Sequence, residues 1–420
     1  MLGGDAPAIE GAIAWRTERR VVNADPERGL ASSLAVGMAA IGGDAEAVLI
    51  ALGDQPLVGV DTLHALLDAP ADASRPVVVP VYADDPGRNP VLLRRAAFPL
   101  IGEASGDRGL GPVLAAHPEA VQAIPMRGDN PDVDTQADLA RAAEAAWAAR
   151  VRANREQVER VREVPDGADF YAPVRSLFRA DPTRTDDPIL AELLRLVRSG
   201  DRWLDVGAGA GRFALPIAQA LDPSGGSVVA IDASPSMLEA LREIAEDYAI
   251  ENIRTVEARW PPADALAFEA DVALIAHVGY DVEAIGPFVD SLESAAGRLC
   301  VAVLTEQPPA SAADPFWPLV HGEPRSALPA LPDLVGLLQA RGHEPSVVRI
   351  VGQTRRFESR DALGGFVQRQ LWIDPAGGKA ERLQQALEEL VVSEVDGWTI
   401  RGRLPIDTGV VTWHPRRSRD

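Results

Sequence analysis

The run Trp203-Leu204-Asp205-Val206-Gly207-Ala208-Gly209-Ala210-Gly211-Arg212-Phe213 leaves few folds open. An apolar strand enters glycines at alternate positions and then a helix, Phe213–Ala220. Glycine suits such a turn because the backbone takes angles closed to other residues, and a ligand can lie on main chain with no Cβ in the way. The helix behind the turn offers free N–H groups to a carboxylate or phosphate. A second strand, Ser227–Ile231, leads to Asp232, where a carboxylate can accept hydrogen bonds from two ribose hydroxyls. The dinucleotide fingerprint spaces its glycines G-x-G-x-x-G. Here the spacing is G-x-G-x-G, which suits a ligand with no pyrophosphate to cradle.

The surrounding pattern is strand–helix alternation. A helix over Pro188–Arg198, capped by Asp186 or Asp187, precedes strand Trp203–Val206. After Asp232 come helix Ser234–Tyr248, strands at Ile253–Val256 and Val272–Ala276, helix Ile285–Ala296 and strand Arg298–Leu304. Such alternation predicts a parallel sheet with helices on both faces. Gln307–Pro332 is Pro-rich without a clear period and reads as a long loop or lid. Its Phe316, Trp317, His321 and Arg325 are candidates to shape a substrate. Strands at Val347–Gln353 and Gly409–Trp413, with helices around Arg360–Leu371 and Ala380–Val392, complete the reading.

Here the chain resembles the class I S-adenosylmethionine-dependent methyltransferases. The resemblance rests on Leu204–Gly211 and on Val229-Ala230-Ile231-Asp232-Ala233-Ser234-Pro235-Ser236-Met237-Leu238. It implies a seven-stranded sheet whose last strand is antiparallel, a place Gly409–Trp413 can fill. It also implies S-adenosylmethionine as cofactor, with Gly207, Gly209 and Gly211 under its methionine part. Asp205 would orient the amino group, Asp232 would bind the ribose, and Met237 would lie near the adenine. Beside the adenine the family usually has an aspartate; Glu257 or the Trp260 ring takes that place here. Tyr171, in Asp169-Phe170-Tyr171-Ala172-Pro173, would cover the cofactor. His277, at the rim where the family meets its methyl acceptor, is either a general base, since imidazole titrates near neutral pH, or a hydrogen-bonded loop histidine. Tyr280 is a second catalytic candidate.

The first part of the chain has strand candidates at Val48–Leu52 and Val77–Val81. Asp54 follows the first, and a carboxylate at the end of a parallel strand is placed to hold Mg²⁺ against nucleotide phosphates. Asn23-Ala24-Asp25, Gly29–Leu34, Gly87–Leu92, Ser105–Gly109 and Asp132-Val133-Asp134-Thr135 resemble molybdenum cofactor cytidylyltransferases. The resemblance makes Asp54 a metal ligand and Asp134 a candidate for a second. The family's opening Gly-rich loop is absent, and residues 1–150 contain no lysine. We therefore expect an incomplete nucleotidyltransferase-like sheet, either a truncated remnant or one whose true start lies upstream, that as written does not transfer nucleotides.

The expected fold is α/β with two Rossmann-like domains: 1–140, a charged helical linker 141–168, and the methyltransferase domain 169–420. A formal charge of −21 argues against a sequence-independent grip on nucleic acid or anionic lipid. The acceptor is then a small molecule or a protein. The single cysteine, Cys300, lies in an apolar run and reads as a packing residue. With no long apolar span and no leader pattern, the sequence reads as cytoplasmic. A competing reading is a Mg²⁺-dependent molybdenum cofactor nucleotidyltransferase using CTP or GTP, with a regulatory C-terminal half.

Overall fold

The computed structural model describes residues 1–83, 88–126, 130–165, 178–221, 225–262 and 268–416. The chain divides into two units, Met1–Asp138 and Leu139–Asp420. No helix among the described residues is long and apolar enough to cross a membrane.

The first unit is built on four strands, β1 (Ala47–Ile50), β2 (Val77–Tyr82), β3 (Val91–Arg94) and β4 (Val121–Met126). Their order is β1-β3-β2-β4, with β2 and β4 parallel and β3 antiparallel to both its neighbours. The run Val77-Val78-Val79 has no polar alternation because β2 is buried on both faces. Val78 packs with Leu66 and Leu92, and Val77 and Val79 with Leu93 and Leu114. The small second sheet expected from the sequence is therefore present.

In the second unit the strands are β5 (Arg202–Val206), β6 (Ser227–Asp232), β7 (Ile253–Glu257), β8 (Ala270–Ala276), β9 (Ala296–Thr305), β10 (Ser346–Ile350), a hairpin of β11 (Val391–Glu394) and β12 (Gly397–Ile400), and β13 (Thr408–Trp413). Seven of them form one sheet in the order β10-β13-β9-β8-β5-β6-β7. Strand β13 is antiparallel to β9 and to β10, while the pairings among β5 to β9 are parallel. This is the seven-stranded sheet with a reversed last strand that the sequence led us to expect. Strand order reverses between β5 and β8, so a crevice opens outside their carboxyl ends, where such sheets bind ligands. Cys300 is fully buried in β9, and burial pushes its thiol pKa up, so it packs rather than reacts.

Two expectations needed correction. The segment read as a charged helical linker is a helix, Gln136–Val161, but its inner face is buried. Trp147, Val151, Asn154 and Val161 repeat at helical spacing as a narrow stripe, and Trp147 and Val151 enter the same core as Leu204, Ile231 and Phe288. The Pro-rich segment read as a loop folds into a 3-10 run, Pro309–Phe316, and a short helix, Trp317–His321. Ala313, Phe316, Trp317 and Val320 are fully buried. They join Leu363, Phe366, Val367, Leu383 and Leu387 in a separate core that also takes in Val161, so the segments around 309–321 and 357–400 pack as a cap on the end of the helix Gln136–Val161.

Candidate active site

The glycine turn is shaped from below and open from above. Gly207 and Ala208 both donate to the Ile231 carbonyl, at 2.7 and 3.0 Å, which ties the turn to the end of β6. Gly207 has φ 73°, and a Cβ there would stand 2.3 Å from a Val278 methyl. Gly209 has φ 55° with nothing within 4 Å of its missing Cβ, because it faces a cavity of about 550 Å³. Gly211 is different: a Cβ there would meet Leu215 and Leu241 at 2.8–2.9 Å, so this glycine serves helix packing under the turn.

Asp232 stands at the end of β6, with Oδ2 accepting from the Gly209 N–H at 2.8 Å and Oδ1 from the Ser234 N–H at 2.8 Å. The carboxylate is thus aimed by main chain. Ser234 also caps the helix Pro235–Asp247, its Oγ accepting from the Met237 N–H, and this seats Met237 in the cavity wall. Asp205, at the end of β5, is buried and lines the same cavity. Its Oδ1 has no hydrogen-bond partner among the described residues. Burial first, and then the charge of Asp232, push its pKa up to about 7.

On the far wall, the loop after β8 places His277 at φ 58°, a conformation few non-glycine residues adopt, with its N–H on the Val303 carbonyl at 2.8 Å. Its side chain is exposed, but to the cavity, with protein on its other sides. That enclosure is the first cause of a pKa lowered to about 4; Arg212 adds to the shift and Asp187 opposes it. The imidazole is therefore neutral at pH 7. Arg212 is held at 2.8 Å by Asp187, which also accepts from the Ile189 and Leu190 N–H groups at the start of helix Pro188–Leu196. Of the two cap candidates, the structure selects Asp187.

Asp205, Gly207, Gly209, Asp232, Met237, Trp260 and His277 are thus brought together around one cavity. Others are not. Glu257 ends β7 exposed and does not line the cavity, so of the two adenine-side candidates only Trp260 does. Tyr280 is 6% exposed and packs in the core. Its hydroxyl is engaged by the Thr305 Oγ1 at 2.9 Å and the Thr305 N–H at 2.8 Å. Tyr171 lies outside the described residues, as does Gly87. The sequence reading missed Phe178, Arg212 and Phe288 in the wall. Arg212 had a signal, since it follows the third glycine directly. Phe316 and Trp317, proposed to shape a substrate, are buried in the cap core, while His321 bonds the Leu371 carbonyl and Arg325 sits over the Trp317 ring.

Residues 204–287 match the family described as methyltransferase domain, and residues 4–121 match the MobA-like NTP transferase domain. The chain joins a MobA-like NTP transferase domain to a methyltransferase domain. No curated protein matches the chain. Among solved structures it is similar to the YcgJ protein of Bacillus subtilis, at 13% identity over 55% of this chain and 98% of that one, TM-score 0.39. It is also similar to a putative methyltransferase from Bacillus halodurans, at 14% identity over 54% and 99%, TM-score 0.39. A third is a SAM-dependent methyltransferase from Thiobacillus denitrificans in complex with S-adenosyl-L-homocysteine, at 17% identity over 60% and 100%, TM-score 0.37. At these scores the likenesses decide nothing about chemistry.

In the first unit the Asp54 carbonyl accepts from the Val133 N–H at 2.8 Å, which brings the chain around Asp54 and Asp134 together. Behind them Gln55 donates to Asp132 at 2.7 Å and accepts from Asn130 at 3.1 Å. Both Asp54 and Asp134 are exposed, and among the described residues no three His, Cys, Asp or Glu side chains gather as a metal site. Asn23 is buried and donates to Ser32 and Ser33, which fixes the start of helix Leu30–Ala39.

Proposed function

We propose that the unit Leu139–Asp420 binds S-adenosylmethionine and transfers its methyl group to a small-molecule or protein acceptor. The observation that carries this is the buried Asp205 carboxyl, with an oxygen that has no partner among the described residues, in the wall of a cavity floored by Gly209. A buried carboxyl in that state calls for a cationic partner, and the cofactor's ammonium is one. Asp232 would take the ribose hydroxyls, main chain at Gly207–Gly209 the methionine part, and Met237 and Trp260 the adenine. When bound, the cofactor supplies an electrophilic methyl group on a sulfonium.

The protein's own contribution is alignment and, for a protonated nucleophile, a proton acceptor. Holding the acceptor in line provides much of the rate in such a transfer. His277, neutral at pH 7, has a ring nitrogen to take a proton from an acceptor hydroxyl or amine within the cavity, as a weaker base than an ordinary histidine because its pKa is lowered to about 4. Replacing His277 by Gln should lower kcat about 100-fold with little change in KM if it is the base, and less than threefold if it only lines the wall.

Calorimetry with S-adenosylmethionine tests the cofactor. Wild type should bind, and Asp232→Ala should weaken binding by about two orders of magnitude, since an oriented carboxylate is lost from both the ligand and the Gly209 turn. Absence of binding by wild type, or indifference to Asp232→Ala, would sink the proposal. Labelled methyl transfer into a fractionated bacterial extract then identifies the acceptor.

The match over residues 4–121 favours a second reading, in which the first domain is a Mg²⁺-dependent nucleotidyltransferase of molybdenum cofactor and the second regulates it. Our reading holds that domain inactive within these 420 residues, which offer no lysine before position 379 for a triphosphate. Consumption of CTP or GTP with a pterin substrate would decide for the alternative.

A further inference from the structure

The loop His277–Glu283 supplies His277, Val278, Asp281 and Val282 to the cavity, yet its backbone is unfavourable by itself. His277 has φ 58° and Gly279 φ 103°. Such a loop keeps its shape only when its surroundings over-determine it. One side is pinned by Tyr280, whose hydroxyl bonds Thr305 twice. The other is pinned by helix Gln136–Val161, which lies outside the matched span 204–287. Trp147 is 3% exposed and its Nε1–H donates to the Val282 carbonyl at 2.9 Å. Arg152 and Arg155 of the same helix each reach Glu283 at 2.9 Å.

These contacts differ in weight. The two arginine pairs are about half exposed, and ion pairs of that kind contribute little. The indole bond is shielded, and losing its donor leaves a carbonyl without its partner beside the core. The helix is held in turn on its other flank: Asn154 donates to the Ser326 carbonyl, Gln157 bonds Pro324 and Ser326, and Arg150 reaches Leu328 and Asp333. It is a fixed mount and not a passing chain.

We propose that Trp147 is a positioning residue for the active site, holding the His277–Glu283 loop against the cavity through the Val282 carbonyl. This rests on the methyltransferase reading for its consequence in catalysis, but the tether itself is a property of the ligand-free chain. Trp147→Phe keeps the ring in the core and removes only the donor.

The test uses the full chain with ¹³C-labelled histidine, His277→Gln assigning the His277 signal among six histidines. In Trp147→Phe the His277 titration midpoint should move up from about 4 toward the ordinary 6.5, because enclosure is the first cause of its depression. Affinity for S-adenosylmethionine should fall about fivefold. Val151→Ala is the control, a core residue of the same helix with no bond to the loop; it should lower the melting temperature and leave both readings alone. An unmoved midpoint with unchanged affinity in Trp147→Phe overturns the proposal, and so does an equal change in Val151→Ala. Should Trp147→Phe fail to fold, β-(3-benzothienyl)alanine installed at position 147 keeps the fused ring and lacks the N–H; the midpoint and affinity should shift as for Trp147→Phe, and indifference of both also overturns the tether. If wild type does not bind S-adenosylmethionine but the His277 midpoint still moves only in Trp147→Phe, the cofactor reading falls and the tether stands.

Discussion

In the first unit a cavity of about 800 Å³ is walled by apolar side chains such as Leu34, Met38 and Leu114 together with Arg88, Asn89 and Arg108, and by no carboxylate among the described residues. In the second, a smaller one of about 550 Å³ has Asp205, Asp232 and His277 in its wall. The difference comes from how the strands run. Asp205 and Asp232 stand at the carboxyl ends of β5 and β6, which are parallel neighbours in register, so two chain-distant carboxyls arrive at one place. In the first unit β1 is antiparallel to its partner β3, and Asp54 beyond its end stays exposed with no comparable enclosure. Volume alone does not make a site; convergence of polar strand ends in a shielded place does.

The sharpest way to break this comparison is Asp205→Asn. Asp205 has its folded pKa raised from 3.8 to about 7, first by burial and then by Asp232. Between those values the unfolded chain has released the proton and the folded chain still holds it. Stability therefore falls as pH rises from about 4 to about 7, and levels off above, by roughly 4 kcal/mol at most. Asp205→Asn should abolish that slope and raise stability at pH 8, as urea titrations at several pH values would read. Asp54→Asn in the first unit should leave the slope in place. Binding of a cationic ligand by wild type near pH 6 should release a proton, measurable by calorimetry in buffers of different ionisation enthalpy, and Asp205→Asn should not.

A smaller effect separates glycines that look alike in the sequence. Gly211→Ala should destabilise by about 2–3 kcal/mol, since φ 81° and contacts under 3 Å to Leu215 and Leu241 act together. Gly209→Ala should cost only about 1 kcal/mol, from φ 55° alone, while weakening the cofactor because its methyl enters the cavity. Thermal melts and ligand titrations on both variants would show stability and binding parting company. Equal losses in both properties would mean that the two positions have one role.

What the sequence made legible was the part encoded locally. The strand–turn–helix at Trp203–Ala220, Asp232 at a strand end, and the helix beginning at Ser234 each depend on neighbours within a few positions, so pattern sufficed. The cap did not read, although Ala313, Phe316, Trp317 and Val320 keep helical spacing, because Pro315 and Pro318 suggested a broken chain. A proline at the start of a short helix costs little, since the N–H it lacks has no partner there. Helix Gln136–Val161 was seen, but its burial was not, because a stripe carrying Asn154 and Gln157 looks polar until their carbonyl partners at Ser326 and Pro324 are known. Tyr280 was misjudged for the same reason: its partner Thr305 is distant in sequence.

The smallest effect concerns the end of β7, where the sequence left Glu257 and Trp260 as equals. Trp260 lines the cavity, its ring 6.0 Å from that of Phe268 and its Nε1 3.4 Å from the Phe288 carbonyl. An aromatic wall held in this way offers a face to a flat heterocycle, and its removal forfeits contact area more than a directed bond. Trp260→Ala should therefore weaken S-adenosylmethionine by about tenfold. Glu257→Gln, on an exposed carboxylate that does not line the cavity, should change it less than about twofold. Because Asp232 pairs with Glu257 across β6 and β7, a larger effect of Glu257→Gln would mean that the carboxylate reaches the ligand over the strand end. The comparison with the first unit would then weaken as well, since an exposed carboxylate at a strand end, like Asp54, would have proved sufficient.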